Sequence, residues 1–154
     1  MKSWTRLGVV VAAALSAAAV SAPAASAAAN PYTPAEACAT DFGGSWSLAS
    51  DGHREVKYGS AKWGDVYLMY NSSHANCVAT IKAIDIGTPT YTEAWLWIQG
   101  TPDWIGNTGP FKYYAAVKGT ANNHCVQYLG LISRTATGAG AYAKGARYTW
   151  GNCT

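Results

Sequence analysis

His53, His74 and His124 are the side chains of this 154-residue chain that ordinarily titrate near neutrality, so general acid or base chemistry would begin with them. Strand alternation puts His53 on the same side as Glu55, a pair that could move protons in a small secreted hydrolase or supply half a metal site. No nucleophile or second ligand is spaced to complete it, and a solvated edge strand is the plainer account. His74 lies among Ser72, Ser73, Ala75 and Asn76 and reads as a turn residue; His124, before Cys125, reads as the entry to a strand. A serine nucleophile would call for G-x-S-x-G, whereas Gly44-Ser45-Trp46 and Gly59-Ser60-Ala61 lack that frame. Asp65, Asp85, Glu93 and Asp103 could pair as in glycosidases, but their spacing selects no pair. No G-x-x-x-x-G-K loop occurs. No catalytic residue, metal or cofactor is therefore expected.

What the chain holds in excess is aromatic: seven Trp, ten Tyr and two Phe, all but Trp4 beyond residue 27. From Tyr91 to Gln99 the sequence alternates, with Thr92, Ala94, Leu96 and Ile98 on one side and Tyr91, Glu93, Trp95, Trp97 and Gln99 on the other. If the second side is exposed, Tyr91, Trp95 and Trp97, with Trp104 from the connection that follows, form a flat amphipathic platform for sugar rings or a protein partner. The competing account packs that side against a second sheet, the commoner fate of large aromatics.

The elements that would position these residues follow a leader. Lys2 and Arg6 precede an apolar run from Leu7 to Val20, and Ala25-Ser26-Ala27 supplies the small residues of a cleavage site. Residues 1–27 read as a secretory signal with cleavage after Ala27, or after Ala29 within the same alanine run, and residues 28–154 as a single disulfide-stapled β domain. The run is short for a membrane span, so no anchor is expected. Of the 11 Lys and Arg against 8 Asp and Glu, Lys2 and Arg6 belong to the leader, which lowers the net charge from +3 to +1. A nearly neutral domain without a basic cluster has no footprint for nucleic acid.

Export puts Cys38, Cys77, Cys125 and Cys153 in an oxidising compartment, where two disulfides are the default. No C-x-x-C knuckle favours zinc. Of three possible connectivities, nearest-neighbour pairing, Cys38 with Cys77 and Cys125 with Cys153, would pin each end of the domain onto a nearby strand and is the one expected.

Val66 to Tyr70, the polar cluster Asn71 to Asn76 and Val78 to Ile81 read as a hairpin with a loop of about four to six residues, expected at the centre of a small sheet. Other strands are expected at His53–Tyr58, Tyr91–Gln99, Phe111–Lys118, Cys125–Ile132 and Tyr142–Trp150, with turn-rich stretches at Gly100–Asp103 and Gly106–Pro110. Pro31 and Pro34 mark an exposed lead-in to Cys38, and Trp46 follows a glycine turn as an anchor. No window has a helical period outside the leader. Six or seven short strands predict an all-β fold, a small antiparallel β-sandwich or barrel.

Several phrases together resemble the secreted spore-associated protein A family of filamentous, aerially sporulating bacteria. They are the Cys38 segment, Gly64 to Ser72, Asn76 to Lys82, Gly109 through Ala115, Cys125-Val126 and the cysteine near the end. The family's usual Cys-Val-x-Trp-Gly-Gly is here Cys125-Val126-Gln127-Tyr128-Leu129-Gly130, and Ala116-Val117 stands where Gly-Pro is usual. The resemblance spans essentially all of the chain after the leader. It implies a small exported protein recovered with spores and without known catalytic residues. The functional expectation is a spore- or cell-surface-associated protein without enzymatic activity, with a polysaccharide or cell-wall binding module, a hydrolase and a protease inhibitor as alternatives. Its implied partners are a spore or cell-wall surface, a polysaccharide or another surface protein.

Overall fold

The computed structural model describes residues 28–153, so the expected leader lies outside the described residues. The first element is a helix, α1 (Pro34–Phe42), where an exposed lead-in was expected. Thr33 and Glu36 close a reciprocal capping box, Pro34 occupies the first turn, where its missing N–H costs nothing, and the helix stops at Gly43 with φ 70°. The prolines thus open the helix instead of preventing one.

Eight strands follow: β1 (Ser47–Tyr58), β2 (Ala61–Tyr70), β3 (Ala75–Lys82), β4 (Thr90–Ile98), β5 (Ile105–Phe111), β6 (Tyr114–Thr120), β7 (Val126–Ser133) and β8 (Tyr142–Gly151). They form one antiparallel sheet in the order β5-β4-β7-β8-β1-β2-β3-β6, nearly closed into a barrel. The eighth strand is β5, which covers the stretch expected to be turns. Its Gly106, Gly109 and Pro110 are tolerated because β4 pairs with it on one side only. The strand expected over Phe111–Lys118 breaks at Lys112 and Tyr113, which separate β5 from β6. Asn107 Nδ2 donates to the Ala116 carbonyl at 3.0 Å and links these two edges.

The hairpin of β2 and β3 forms with the four-residue connection Asn71 to His74, but it is not central, because β3 has only β6 beyond it. Every residue of β3 is buried. Val78 faces the barrel interior with Val56, Val66, Leu68, Leu96, Val126, Tyr128 and Ile132. On its other face Cys77, Ala79 and Ile81 lie under α1, in a second cluster with Ala37, Cys38, Trp46 and Met69. Trp46 is the anchor expected of it, its Nε1 donating to the Gly43 carbonyl at 2.8 Å.

The barrel is narrow. A Cβ on Gly130 of β7 would lie 2.6 Å from Thr80 Oγ1 and 2.7 Å from Val66 Cβ across the interior, so only glycine lets the walls meet there. Two buried cations are held by carbonyls. Lys82 Nζ donates to Asp85, Thr88 and Phe111, and burial lowers its pKa. Arg147 Nη2 donates to Val126 at 3.1 Å, with the guanidinium 5.1 Å from the Tyr128 ring centre and Nε without a partner. The disulfides join Cys38 to Cys77 and Cys125 to Cys153, as expected.

Candidate functional site

Burial along β4 alternates as the sequence does. Thr90, Thr92, Ala94 and Leu96 point into the barrel, whereas Tyr91, Glu93, Trp95 and Trp97 lie on its outer face and are partly exposed. Ile98, expected with the inward set, is also partly exposed. A single sheet curled into a barrel has no second sheet to cover the outer face, so the packed account of these aromatics does not hold.

Trp95 is fixed by its neighbours. Its Nε1 donates to Glu93 Oε2 at 2.6 Å, and its ring covers Gly106, its cross-strand partner on β5. Trp97 Nε1 donates to the Thr101 carbonyl at 3.1 Å. Each N–H is used internally, so both rings offer their faces. Trp104 stands 5.5 Å from Trp97, centroid to centroid, at 36°. Trp150, from the end of β8, stands 5.2 Å from Trp97 at 55°. Tyr148 lies 6.5 Å from Trp104, and Lys144 Nζ reaches 5.8 Å from the Tyr148 ring.

The structure therefore joins Trp97 and Trp104 to two residues outside the expected platform, Tyr148 and Trp150. Trp95 shares their outer face. Tyr91 stands apart, about 20 Å along β4 from Trp97 by strand rise, against Gly138 near the Tyr142 hydroxyl. Tyr148 and Trp150 alternate within β8 as Trp95 and Trp97 do within β4, and that was the available signal. What placed them together was β7, the single strand between β4 and β8. Gln127 of β7 pairs with Trp97 and is only 7% exposed on this aromatic face. Trp150 and Tyr148 are 40% and 54% exposed, so the strip is open to a partner.

The acid and base candidates assemble differently. His53 Nε2 contacts Asp65 Oδ1 at 2.7 Å, and the imidazole stacks on Tyr67 at 4.8 Å and 18°. Asp65 also pairs with Lys62 at 2.9 Å. Glu55 instead turns to Lys57 and Lys62, and its hydrogen bond with Lys57 lowers its pKa. His53 and Glu55 are thus not a working pair. Nor is β1 an edge strand, since it lies between β8 and β2. Among the described residues no hydroxyl or thiol hydrogen-bonds His53, and no group of three His, Cys, Asp or Glu is placed to hold a metal ion. No described helix is long and apolar enough to cross a membrane.

Comparison of the chain with protein-family models, with curated proteins and with solved structures found no match.

Proposed function

We propose that this chain is an exported, non-catalytic domain that resides at a spore or cell surface and holds polysaccharide there on Trp97, Trp104 and Trp150, with Trp95 beside them. The observation that carries the reading is the set of tilted indoles Trp97, Trp104 and Trp150, with Trp97 and the nearby Trp95 locked by hydrogen bonds of their own N–H groups. Rings fixed before binding lose little conformational freedom when a ligand stacks on them. Indole faces suit the apolar faces of sugar rings, and a domain of net charge +1 suits a neutral polymer.

Export and surface residence are supported by the leader, by the resemblance to spore-associated proteins, and by two disulfides that fit an oxidising compartment. The non-catalytic reading is supported by the separation of His53 from Glu55.

Pull-down on insoluble cell-wall polysaccharide, comparing wild type with Trp97→Ala/Trp104→Ala, tests the strip. Wild type is expected to be retained and the variant to lose about tenfold or more in affinity. Equal retention of the two proteins would remove the idea.

A further inference from the structure

Two residues beyond Trp150, Asn152 forms part of a recess of about 410 Å³ that is also lined by Ser50, Tyr70, Asn71, Ser72 and His74. That volume lies toward the lower end of the roughly 300–1,000 Å³ typical of small-molecule sites. The lining is hydroxyl, amide, phenol and imidazole, with no carboxylate, lysine or arginine, so the chemistry suits a neutral polar ligand.

The hydrogen bonds already made show what remains. Asn71 Oδ1 accepts from the backbone N–H groups of Ser73 and Ala75 at 3.0 and 3.1 Å. Asn152 Nδ2 donates to Asn76 Oδ1 at 2.5 Å. The Asn71 amide nitrogen and the Asn152 amide oxygen are left over. Among the described residues, the Tyr70 hydroxyl, the Ser50 and Ser72 hydroxyls and the His74 ring also have no side-chain hydrogen bond.

Two of the lining residues hold left-handed backbone, His74 at φ 56° and Asn152 at φ 52°. Glycine enters that region without a Cβ clash, and asparagine and histidine enter it more readily than most other side chains. His74 closes the β2–β3 turn, where glycine would fit most easily, and instead brings an imidazole to the recess wall.

We infer that this recess is a subsite for one N-acetylated sugar residue at the end of a glycan chain whose neighbouring residues lie on Trp150 and Trp97. An acetamido group needs a donor for its carbonyl, an acceptor for its N–H and apolar surface for its methyl. The Asn71 amide nitrogen, the Asn152 amide oxygen and the Tyr70 ring, itself 41% exposed, offer these in turn. Ser50, Ser72 and His74 remain for the ring hydroxyls. Asn152 stands two residues beyond Trp150, just past the end of β8, so the recess and the strip meet at that end of the strand. The ligand class rests on the glycan reading of the Trp strip, while variants of the recess report on the recess alone.

Calorimetric titration of the oxidised protein with chitotriose, a trimer of N-acetylglucosamine, and with cellotriose, which has hydroxyls in place of the acetamido groups, tests the assignment. Wild type is expected to bind chitotriose about tenfold or more tightly than cellotriose. His74→Gly/Tyr70→Ala is expected to erase that preference with an unchanged circular dichroism spectrum. Tyr70→Ala alone, which removes the surface offered to the acetamido methyl, carries the same test should the pair disturb folding. Binding of neither trimer, equal binding of both by wild type, or a preference that survives the recess variants overturns the subsite. Trp97→Ala/Trp150→Ala is expected to weaken both trimers alike and leave the preference. Such weakening together with unchanged binding by the recess variants would keep the strip and overturn the recess.

Discussion

An alanine methyl at position 106 would come 2.2 Å from the Trp95 ring, so the indole lies flat only because its cross-strand neighbour has no side chain. Gly106→Ala is expected to cost about 1–3 kcal/mol by overpacking and to alter the near-ultraviolet circular dichroism of the tryptophans. Chemical denaturation with that spectrum as a second readout checks it. His74→Gly should act in the opposite sense and stabilise the fold by about 1 kcal/mol, measured as a rise in the denaturation midpoint. At this scale alternation made the outward set of β4 legible, Tyr91, Trp95 and Trp97 included. It could not reveal that Trp97 meets Trp150, because that contact depends on which strands lie side by side. For the same reason His53 found Asp65, diagonally across the β1–β2 hairpin, and not Glu55, two residues along its own strand.

Among the elements, α1 shows how far a short signal can be misread. Thr33, Pro34 and Glu36 spell a helix start, yet nine residues are too few for a clear apolar period, and the prolines suggested an extended lead-in. Thr33→Ala is expected to destabilise the domain by about 1 kcal/mol in thermal melts, since it removes the hydroxyl that accepts from the Glu36 N–H and donates to the Glu36 carboxylate. The helix is also held by Tyr114 of β6, whose hydroxyl donates to Asp41 Oδ1 at 2.9 Å. Burial, followed by that hydrogen bond, pushes the Tyr114 pKa up to about 12. The folded state therefore keeps this proton at pH values where the unfolded chain, titrating near 10, has lost it. The resulting stabilisation is complete below about pH 10 and is lost as pH rises towards 12. Melting temperature measured across that window should fall more steeply for wild type than for Tyr114→Phe; parallel curves would remove this account. Strand β5 escaped notice for a related reason, because glycines and a proline that mark turns in isolation are also compatible with a strand at the margin of a sheet.

Across the whole molecule, the two disulfides enclose separations of 39 and 28 residues. On the chain-entropy account each should stabilise the fold by about 3–4 kcal/mol, a large share of a small domain's total. Reduction is therefore expected to lower the melting temperature sharply. The Cys38→Ala/Cys77→Ala variant should release α1 first, seen as early proteolytic cleavage before residue 47. The all-β class was legible in the sequence, since turn signals are local facts, whereas the bridge pairing was one choice among three that the sequence left open, and the structure has that one. The strand order was not legible, because it is settled where distant segments share one narrow interior, as Gly130 does with Val66 and Thr80. The link from Asn107 to Ala116 has a consequence for crowding. With part of β5 held against β6, the two margins of the sheet partly cover one another, so molecules packed densely offer another copy a shorter template for strand addition than two free edges would.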